Sequence, residues 1–274
     1  SVLISAGVGD DTAAVLPDKD GVIVLKSDPI TFATEAIGHY AVLVNANDIA
    51  TAGARPRWFL TTLLLPTGTT ASEIRTIMQD LFDLCQRWGI TLCGGHTEIT
   101  DAVNRPVVIG MMAGTVDRDR LIDKRQMQPG DRILLTKAVA VEGTALIARE
   151  FESELINKGI PEAAVTRCKA LLDHISILPE ARIAAQCPQV SAMHDVTEGG
   201  LATALAELAT AGNHTIAVQM DKISIFSETS AICEALGIDP LGLIGSGSLL
   251  ICCRPQAAAD LEAQLQREGI ETHW

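Results

Sequence analysis

Hydrophobic residues along this chain follow two kinds of pattern, a helical spacing of three to four positions and short continuous runs. Over residues 72–88 they fall every three to four positions and Gly89 follows, which predicts an amphipathic helix with a glycine at its end. Residues 35–52 keep the same helical spacing and are followed by Gly53. Short apolar runs around these helices predict strands at 21–26, 58–65, 90–93 and 106–116.

A second unit of the same kind begins after residues 128–131, Gln-Pro-Gly-Asp, a turn signal that leads into a strand at 132–136. The pattern then predicts helices at 144–154, 162–175, 179–186, 198–211, 228–236 and 256–268, and strands at 215–219 and 249–252. We therefore expect an α/β (α+β) fold with two domains, residues 1–120 and 121–274.

The composition narrows the class of protein. Of the 274 residues, 47% are hydrophobic and 20% charged, which is typical of a folded globular protein. A net charge of −13 and an aromatic content of 3% argue against a nucleic-acid partner, because an acidic surface repels phosphates and few rings can stack on bases. No apolar run approaches the roughly 20 residues that cross a bilayer, and no signal peptide is expected. Seven cysteines without a Cys-x-x-Cys pair indicate reduced thiols in a cytoplasmic protein.

The first group of candidate ligands stands near the start of the chain. Gly9 precedes the adjacent pair Asp10 and Asp11, whose like charges are costly side by side unless a cation neutralises them. The pair predicts a metal site, and a solvated turn is the alternative.

Three more polar residues can share that metal. Asp28 follows the first predicted strand, where α/β sheets place ligands, although it can also be a turn acid. Asn45 and Asp48 lie three residues apart in an otherwise apolar helix, and residues 31–53 contain no Lys or Arg that could pair with Asp48. A Mg²⁺ ion shared by Asp10, Asp11, Asp28 and Asp48 would satisfy these groups, and a hydrogen-bonded polar plug is the alternative.

A glycine pair follows the strand predicted at 90–93. Gly94 and Gly95 precede His96 and Thr97, and glycines before polar side chains at a strand end predict a loop that binds phosphate or metal. A single histidine at such a place is more often a hydrogen-bonding group than a ligand or a base.

The second half carries a similar junction between a strand and a helix. Asp195 and Thr197 precede Gly199 and Gly200, where the free N–H groups of a helix start can bind an anion and Asp195 can add oxygens to a metal. Asp195 and Glu198 also fit a helix-capping box, and both roles can hold together. The sequence contains no Gly-x-x-x-x-Gly-Lys-Ser/Thr, which excludes a P-loop.

Taken together and in this order, the motifs resemble the aminoimidazole-ribonucleotide (AIR) synthase superfamily. The resemblance covers almost the whole chain and rests on Gly9-Asp10-Asp11, Asn47-Asp48-Ile49-Ala50 and His194-Asp195-Val196-Thr197-Glu198-Gly199-Gly200. Within the superfamily the chain is similar to the HypE branch of hydrogenase maturation proteins, on Glu142-Gly143-Thr144-Ala145 and on residues 233–241.

The resemblance implies an AIR-synthase-like fold in which the N-terminal halves of two subunits form a shared β-barrel. It implies ATP and Mg²⁺ as cofactors, with Asp10 or Asp11, Asp28 and Asp48 holding the metal and the phosphates, and Asp195 completing the site. On this view the catalytic candidates are Asp48, Asp195 and His96. The remaining nucleotide-binding candidates are Gly9, Asn45, Gly94, Gly95, Thr97, Thr197, Gly199 and Gly200.

The activity implied by the resemblance is ATP-dependent phosphorylation of a carboxamide oxygen, in the HypE manner. The alternatives are a small-molecule kinase such as thiamine-monophosphate kinase, and a nucleotide-binding scaffold that docks a maturation partner protein. His96 stands where these families usually carry an acid. HypE proteins act on their own C-terminal cysteine, whereas this sequence ends at Trp274, so either a tail was removed or the acceptor differs.

Overall fold

The computed structural model describes residues 21–33 and 35–274, together with the backbone of two short strands at residues 2–4 and 13–15. The described chain forms two compact units that divide between Leu121 and Ile122, and each is described by itself.

Unit 1 is a six-stranded sheet with two helices. Its elements in chain order are β1 (Val2–Ile4), β2 (Ala13–Val15), β3 (Val22–Ile30), α1 (Ile37–Thr51), β4 (Arg55–Pro66), α2 (Ala71–Trp88), β5 (Thr91–Thr100) and β6 (Val107–Val116). The strand order is β1-β2-β3-β6-β4-β5, and neighbours are antiparallel except for the parallel pair β4 and β5.

One face of this sheet is covered by α1, which packs closely against β6. A Cβ atom at Gly110 would lie 2.5 Å from the Asn45 side-chain nitrogen, and one at Gly114 would collide with Ile49. Both glycines lie on the same face of β6, because residues four apart in a strand point the same way. Their missing side chains let α1 approach the strand backbone.

The opposite face of the sheet is apolar and lacks a covering helix among the described residues. Leu60 and Met111 are direct cross-strand partners on this face, and they are 39% and 40% exposed. Trp58 lies beside them on β4 and is 38% exposed. A row of large apolar side chains exposed to water is unusual for a soluble protein unit.

Unit 2 is a four-stranded antiparallel sheet surrounded by helices. Its elements are β7 (Arg132–Thr136), α3 (Val141–Glu150), α4 (Glu152–Asn157), α5 (Glu162–Ala170), α6 (Leu178–Ala184), β8 (Val190–Asp195), α7 (Gly200–Gly212), α8 (Ser227–Leu236), β9 (Leu249–Cys253), α9 (Ala258–Arg267) and β10 (Thr272–His273). The strand order is β10-β7-β9-β8. Since β9 is antiparallel to both β7 and β8, the latter two end at the same edge of the sheet.

The observed elements confirm the predicted α/β fold and most of its helices, but three local predictions are wrong. The strand predicted at 90–93 continues to Thr100, so Gly94 and Gly95 lie inside β5. The strand predicted at 21–26 continues to Ile30, so Asp28 lies inside β3. Residues 215–219 form an irregular segment and not a strand.

Two expectations about the cellular setting can be compared with the fold. All seven cysteines are free thiols, and five of them are buried. Burial raises the pKa of Cys85 to about 11 and that of Cys252 to about 12, so both remain protonated at neutral pH. In the part of the chain that the structure describes, no helix combines the length and apolar character that crossing a membrane requires.

Candidate functional site

Two carboxylates of unit 1 meet at one ammonium group, between β3 and α1. The Lys26 Nζ atom lies 3.1 Å from Asp28 Oδ2 and 3.2 Å from Asp48 Oδ2. Lys26 and Asp28 share the helix-covered face of β3 because they are two residues apart in a strand. The Asp48 side chain is 4% exposed, whereas that of Asp28 is 31% exposed. Three charged groups with a net charge of −1 therefore gather at this point.

Asn45 links α1 to β3, the strand that carries Lys26 and Asp28. The Asp28 backbone N–H donates to Asn45 Oδ1 at 2.9 Å, and Asn45 Nδ2 donates to the Asp28 and Ala41 carbonyls at 3.3 and 2.9 Å. Asn45 is fully buried, and its amide acts as a hydrogen-bonded link between α1 and β3. Asn45 and Asp48 thus face the same strand, one bonding its backbone and the other its lysine.

The cation at Asp48 comes from outside the helix. Residues 31–53 contain no Lys or Arg, but Lys26 reaches Asp48 from β3. Lys26 could have been found from the period of two, which puts it on the same strand face as Asp28. Its ammonium supplies part of the charge compensation that the sequence assigned to a metal.

Three of the residues expected to bind Mg²⁺ or nucleotide at this place, Gly9, Asp10 and Asp11, lie outside the described residues. Within residues 21–33 and 35–274, no group of three or more His, Cys, Asp or Glu side chains is arranged to hold a metal ion. Asp28 and Asp48 are two hard oxygen donors at one place, which fits Mg²⁺ in chemistry. They supply two of the four carboxylates that the sequence predicted.

Gly95, the second glycine of the pair in β5, is required by the packing of β5 against β4. A Cβ atom at Gly95 would overlap the Thr61 carbonyl of β4, and its φ of 154° also disfavours a side chain. His96 and Thr97 follow in the same exposed edge strand, where His96 Nε2 lies 3.6 Å from Glu98 Oε2. The prediction of a loop at the end of a strand is therefore wrong here, because β5 runs on beside β4 through Thr100.

In unit 2, Asp195 is the last residue of β8 and is buried. Glu142, in the first turn of α3, is also fully buried, and its Oε2 accepts a hydrogen bond from the Ser246 backbone N–H at 3.1 Å. Among the described residues its other oxygen, Oε1, has no hydrogen-bond partner. Burial raises the pKa of Glu142 to about 7, and the negative charges of Glu198 and Asp195 act in the same direction.

The junction that follows Asp195 is tightly packed. Gly199 is the N-cap of α7 with a φ of 75°, and a side chain there would overlap Thr203. A side chain at Gly200 would overlap the Leu241 carbonyl. The Thr197 carbonyl accepts hydrogen bonds from the backbone N–H groups of Gly200 and Gly245. No side chain caps α7, so the capping box expected between Asp195 and Glu198 does not form.

Lys137 was not identified as a candidate from the sequence, although it connects several segments of unit 2. It follows β7 with a φ of 56°, and its ammonium donates to the Ser176 and Gly247 carbonyls at 2.8 and 2.7 Å and pairs with Glu180. Burial lowers the pKa of Lys137, and the Glu180 charge opposes that effect. A positive φ at a lysine has no signal in a single sequence.

The fold and these two sets of carboxylates define a two-domain α/β protein with one acidic candidate site in each unit. The family model described as AIR synthase related protein, N-terminal domain, matches residues 9–116, and that of the C-terminal domain matches residues 128–274. The chain belongs to the AIR synthase related family.

Two relatives resemble nearly the whole chain. A protein of Methanocaldococcus jannaschii that is named for hydrogenase expression and formation is 31% identical over 265 residues, which cover 93% of this chain and 76% of the relative. The carbamoyl dehydratase HypE of Cupriavidus necator is 28% identical over 268 residues, covering 94% and 72%.

Solved structures share the fold. A HypE–HypF complex matches with a TM-score of 0.80 and 18% identity, over 95% of this chain and 83% of that one. HypE in complex with ATP matches with a TM-score of 0.71 and 22% identity, over 93% and 75%. A ThiL protein complexed with AMPPCP and TMP matches with a TM-score of 0.75 and 21% identity, over 92% and 81%.

Proposed function

We propose that this chain is a Mg²⁺- and ATP-dependent enzyme that phosphorylates a carbamoyl oxygen, as a HypE carbamoyl dehydratase does. The observation that carries the proposal is the convergence of Asp28 and Asp48 on Lys26, held by Asn45, in a family with relatives of that name. A site of carboxylates without a nucleophile suits phosphoryl transfer, which depends on positioning and charge neutralisation.

The chemistry explains why ATP is required. A carboxamide loses water only when its oxygen becomes a good leaving group, and transfer of a phosphoryl group from ATP gives it one. The C–O bond then breaks with release of phosphate, the nitrogen gives up two protons, and a nitrile remains. ATP is converted to ADP, so the overall products are ADP, phosphate and the nitrile.

The proposed metal ligands are Asp28 and Asp48 together with Asp10 or Asp11. Bound there, Mg²⁺ neutralises the phosphate charge. Lys26 holds Asp28 and Asp48 at one place and limits their repulsion, and Asn45 fixes the β3 backbone. In unit 2 we assign Asp195 and the α7 start to the same function.

Two other functions remain as alternatives. The likeness to ThiL in fold keeps a small-molecule kinase such as thiamine-monophosphate kinase in consideration. A scaffold that binds nucleotide and docks a maturation partner is the second, and the HypE–HypF complex supports such a partner for the proposed enzyme as well. Incubation with Mg²⁺-ATP distinguishes the three: ADP with free phosphate, ADP with a phosphorylated vitamin, or unchanged ATP.

Asp48→Asn tests the metal site, because it keeps the shape of the side chain and removes its charge. We expect Mg²⁺-ATP to bind at least ~10-fold more weakly, a loss of ~1.4 kcal/mol. A urea denaturation curve checks that the variant is folded, because it also loses the ion pair between Asp48 and Lys26. Asp83→Asn, which removes an exposed carboxylate of α2, is the matched control and should bind as the parent does. Unchanged affinity in Asp48→Asn would show that Asp48 is not a ligand.

Lys26→Met distinguishes the charge compensation that Lys26 provides from that provided by Mg²⁺. Without Mg²⁺ this variant leaves Asp28 and Asp48 facing each other with one cation fewer, so it should melt at a lower temperature than the parent. Mg²⁺ without nucleotide should then raise its melting temperature more than that of the parent. Equal responses to Mg²⁺ would contradict a metal at these carboxylates.

We further propose that the protein is cytoplasmic and that its domains comprise residues 1–120 and 121–274. We also propose that unit 1 pairs with a second copy of the chain through its uncovered sheet face. The support is the exposed pair Leu60 and Met111 with Trp58 beside them. Leu60→Glu should convert a species of twice the chain mass of 29.0 kDa into a monomer in sedimentation. Phe82→Glu, on the exposed side of α2, is the control, and a monomeric parent at micromolar concentration would refute the pairing.

A further inference from the structure

Unit 2 contains a cavity that the proposed ATP chemistry does not use. It has a volume of about 580 Å³, within the ~300–1,000 Å³ of typical ligand sites. It lies between β7, the side of α7, His214 and the irregular segment at 215–219. Asp195 and Glu142 are not among the residues that line it.

The walls of the cavity are apolar. They are formed by Ile133 and Leu135 of β7, Leu201 and Leu205 of α7, and Ile216 of the irregular segment. Ile133, Leu205 and Ile216 are only half-buried, although they pack against the core of the unit. An apolar body of a ligand would cover them and gain the free energy of removing that surface from water.

The rim of the cavity carries positive charge, in contrast to the net charge of −13 of the whole chain. Arg132 and Lys222 both line it, and the Arg132 guanidinium lies 4.5 Å from the ring centre of Trp274, which fixes its position. The acid of the rim, Asp131, is already bound by the Arg254 guanidinium at 2.6 Å. The net charge offered to a ligand is therefore positive.

Two histidines complete the polar side of the cavity. The His214 ring is held by a hydrogen bond from Nε2 to the Met127 carbonyl at 3.0 Å. The His273 Nε2 atom is buried and has no hydrogen-bond partner among the described residues. Because this nitrogen is inaccessible to solvent, His273 lines the cavity with the rest of its side chain and offers a ligand no hydrogen bond from Nε2.

We propose that this cavity is a second ligand site that binds an amphipathic organic anion, with an apolar body against the walls and a carboxylate at the rim. The apolar walls select the body, and Arg132 and Lys222 select a negative head group. The probe for the test is decanoate, used below the concentration at which it forms micelles. Decylammonium has the same number of carbon atoms and the opposite charge, so its affinity relative to that of decanoate reports on the charge of the rim.

Calorimetric titration of the full chain, without ATP or Mg²⁺, tests the proposal. Decanoate should bind saturably with one site per chain, and decylammonium should bind at least ~10-fold more weakly. Lys222→Glu should weaken decanoate at least ~10-fold, while Lys158→Glu, an equal charge change at an exposed lysine elsewhere in unit 2, should leave it unchanged. Ile216→Trp, which fills the cavity, should abolish binding.

Three results would overturn the site. Absence of saturable decanoate binding would show that the cavity takes no such ligand. Equal affinity for decanoate and decylammonium would show that the rim does not select an anion. Unchanged decanoate affinity in Ile216→Trp would place the binding elsewhere, and a melting curve of each variant confirms that it is folded.

Discussion

Glu142 should make the stability of this protein fall between acidic and neutral pH. Its side chain is fully buried at the start of α3, and burial raises its pKa from 4.5 to about 7. In this range the folded state binds more protons than the unfolded state, so stability is lost as the pH rises from about 4.5 to about 7. Each tenfold change in acidity is worth ~1.4 kcal/mol, which makes the total penalty about 3 kcal/mol.

Glu142→Gln removes this dependence while retaining an oxygen that can accept the bond from the Ser246 N–H. The new amide group adds an offset in stability that does not change with pH. About 1.4 kcal/mol of the total is already lost at pH 5.5, so the difference in unfolding free energy between variant and parent should shift in favour of the variant by about 2 kcal/mol between pH 5.5 and pH 8. Urea denaturation followed by circular dichroism, in EDTA and without nucleotide, measures that difference.

Glu154→Gln, which removes an exposed carboxylate from α4, is the matched control, and its effect should stay within ~0.5 kcal/mol at every pH. A difference for Glu142→Gln that is constant to ~0.5 kcal/mol across the range would refute the reasoning. It would mean that the Glu142 carboxyl ionises in the folded state as easily as in the unfolded chain.

Three further changes test the packing. Lys137→Met leaves the buried Glu180 carboxylate without its ammonium and should cost ~3–5 kcal/mol in urea denaturation, with partial recovery when Glu180→Leu is added. Gly95→Ala brings a methyl group onto the Thr61 carbonyl, and faster amide exchange confined to β5 is the expected result; unchanged exchange would contradict it. Thr70→Ala removes the hydroxyl that caps α2 and should lower stability by ~1 kcal/mol, whereas an unchanged urea midpoint would show that the cap contributes nothing.

Local patterns predicted much of the secondary structure. The helix expected at 72–88 is observed as Ala71–Trp88, because its apolar stripe, the Thr70 cap and the final Gly89 all act within a few residues of one another. The strand expected at 132–136 is observed with the same limits. The irregular segment at 215–219 has the composition of a strand, but it pairs with no strand of the sheet. Strand formation needs a neighbour, and the local sequence does not contain that information.

The candidate site divides in the same way. Spacing and residue type are local properties, and they are enough to identify Asn45 and Asp48 as polar residues within an apolar helix. The contacts of these two side chains depend on tertiary packing, because β3 and α1 are brought together by the sheet order and by the two glycines of β6. That packing puts Lys26 against Asp48, across more than 20 residues of chain and beyond the reach of a helix-based argument. The sequence specifies the type of each side chain, whereas its ion-pair partner depends on which helices and strands pack side by side.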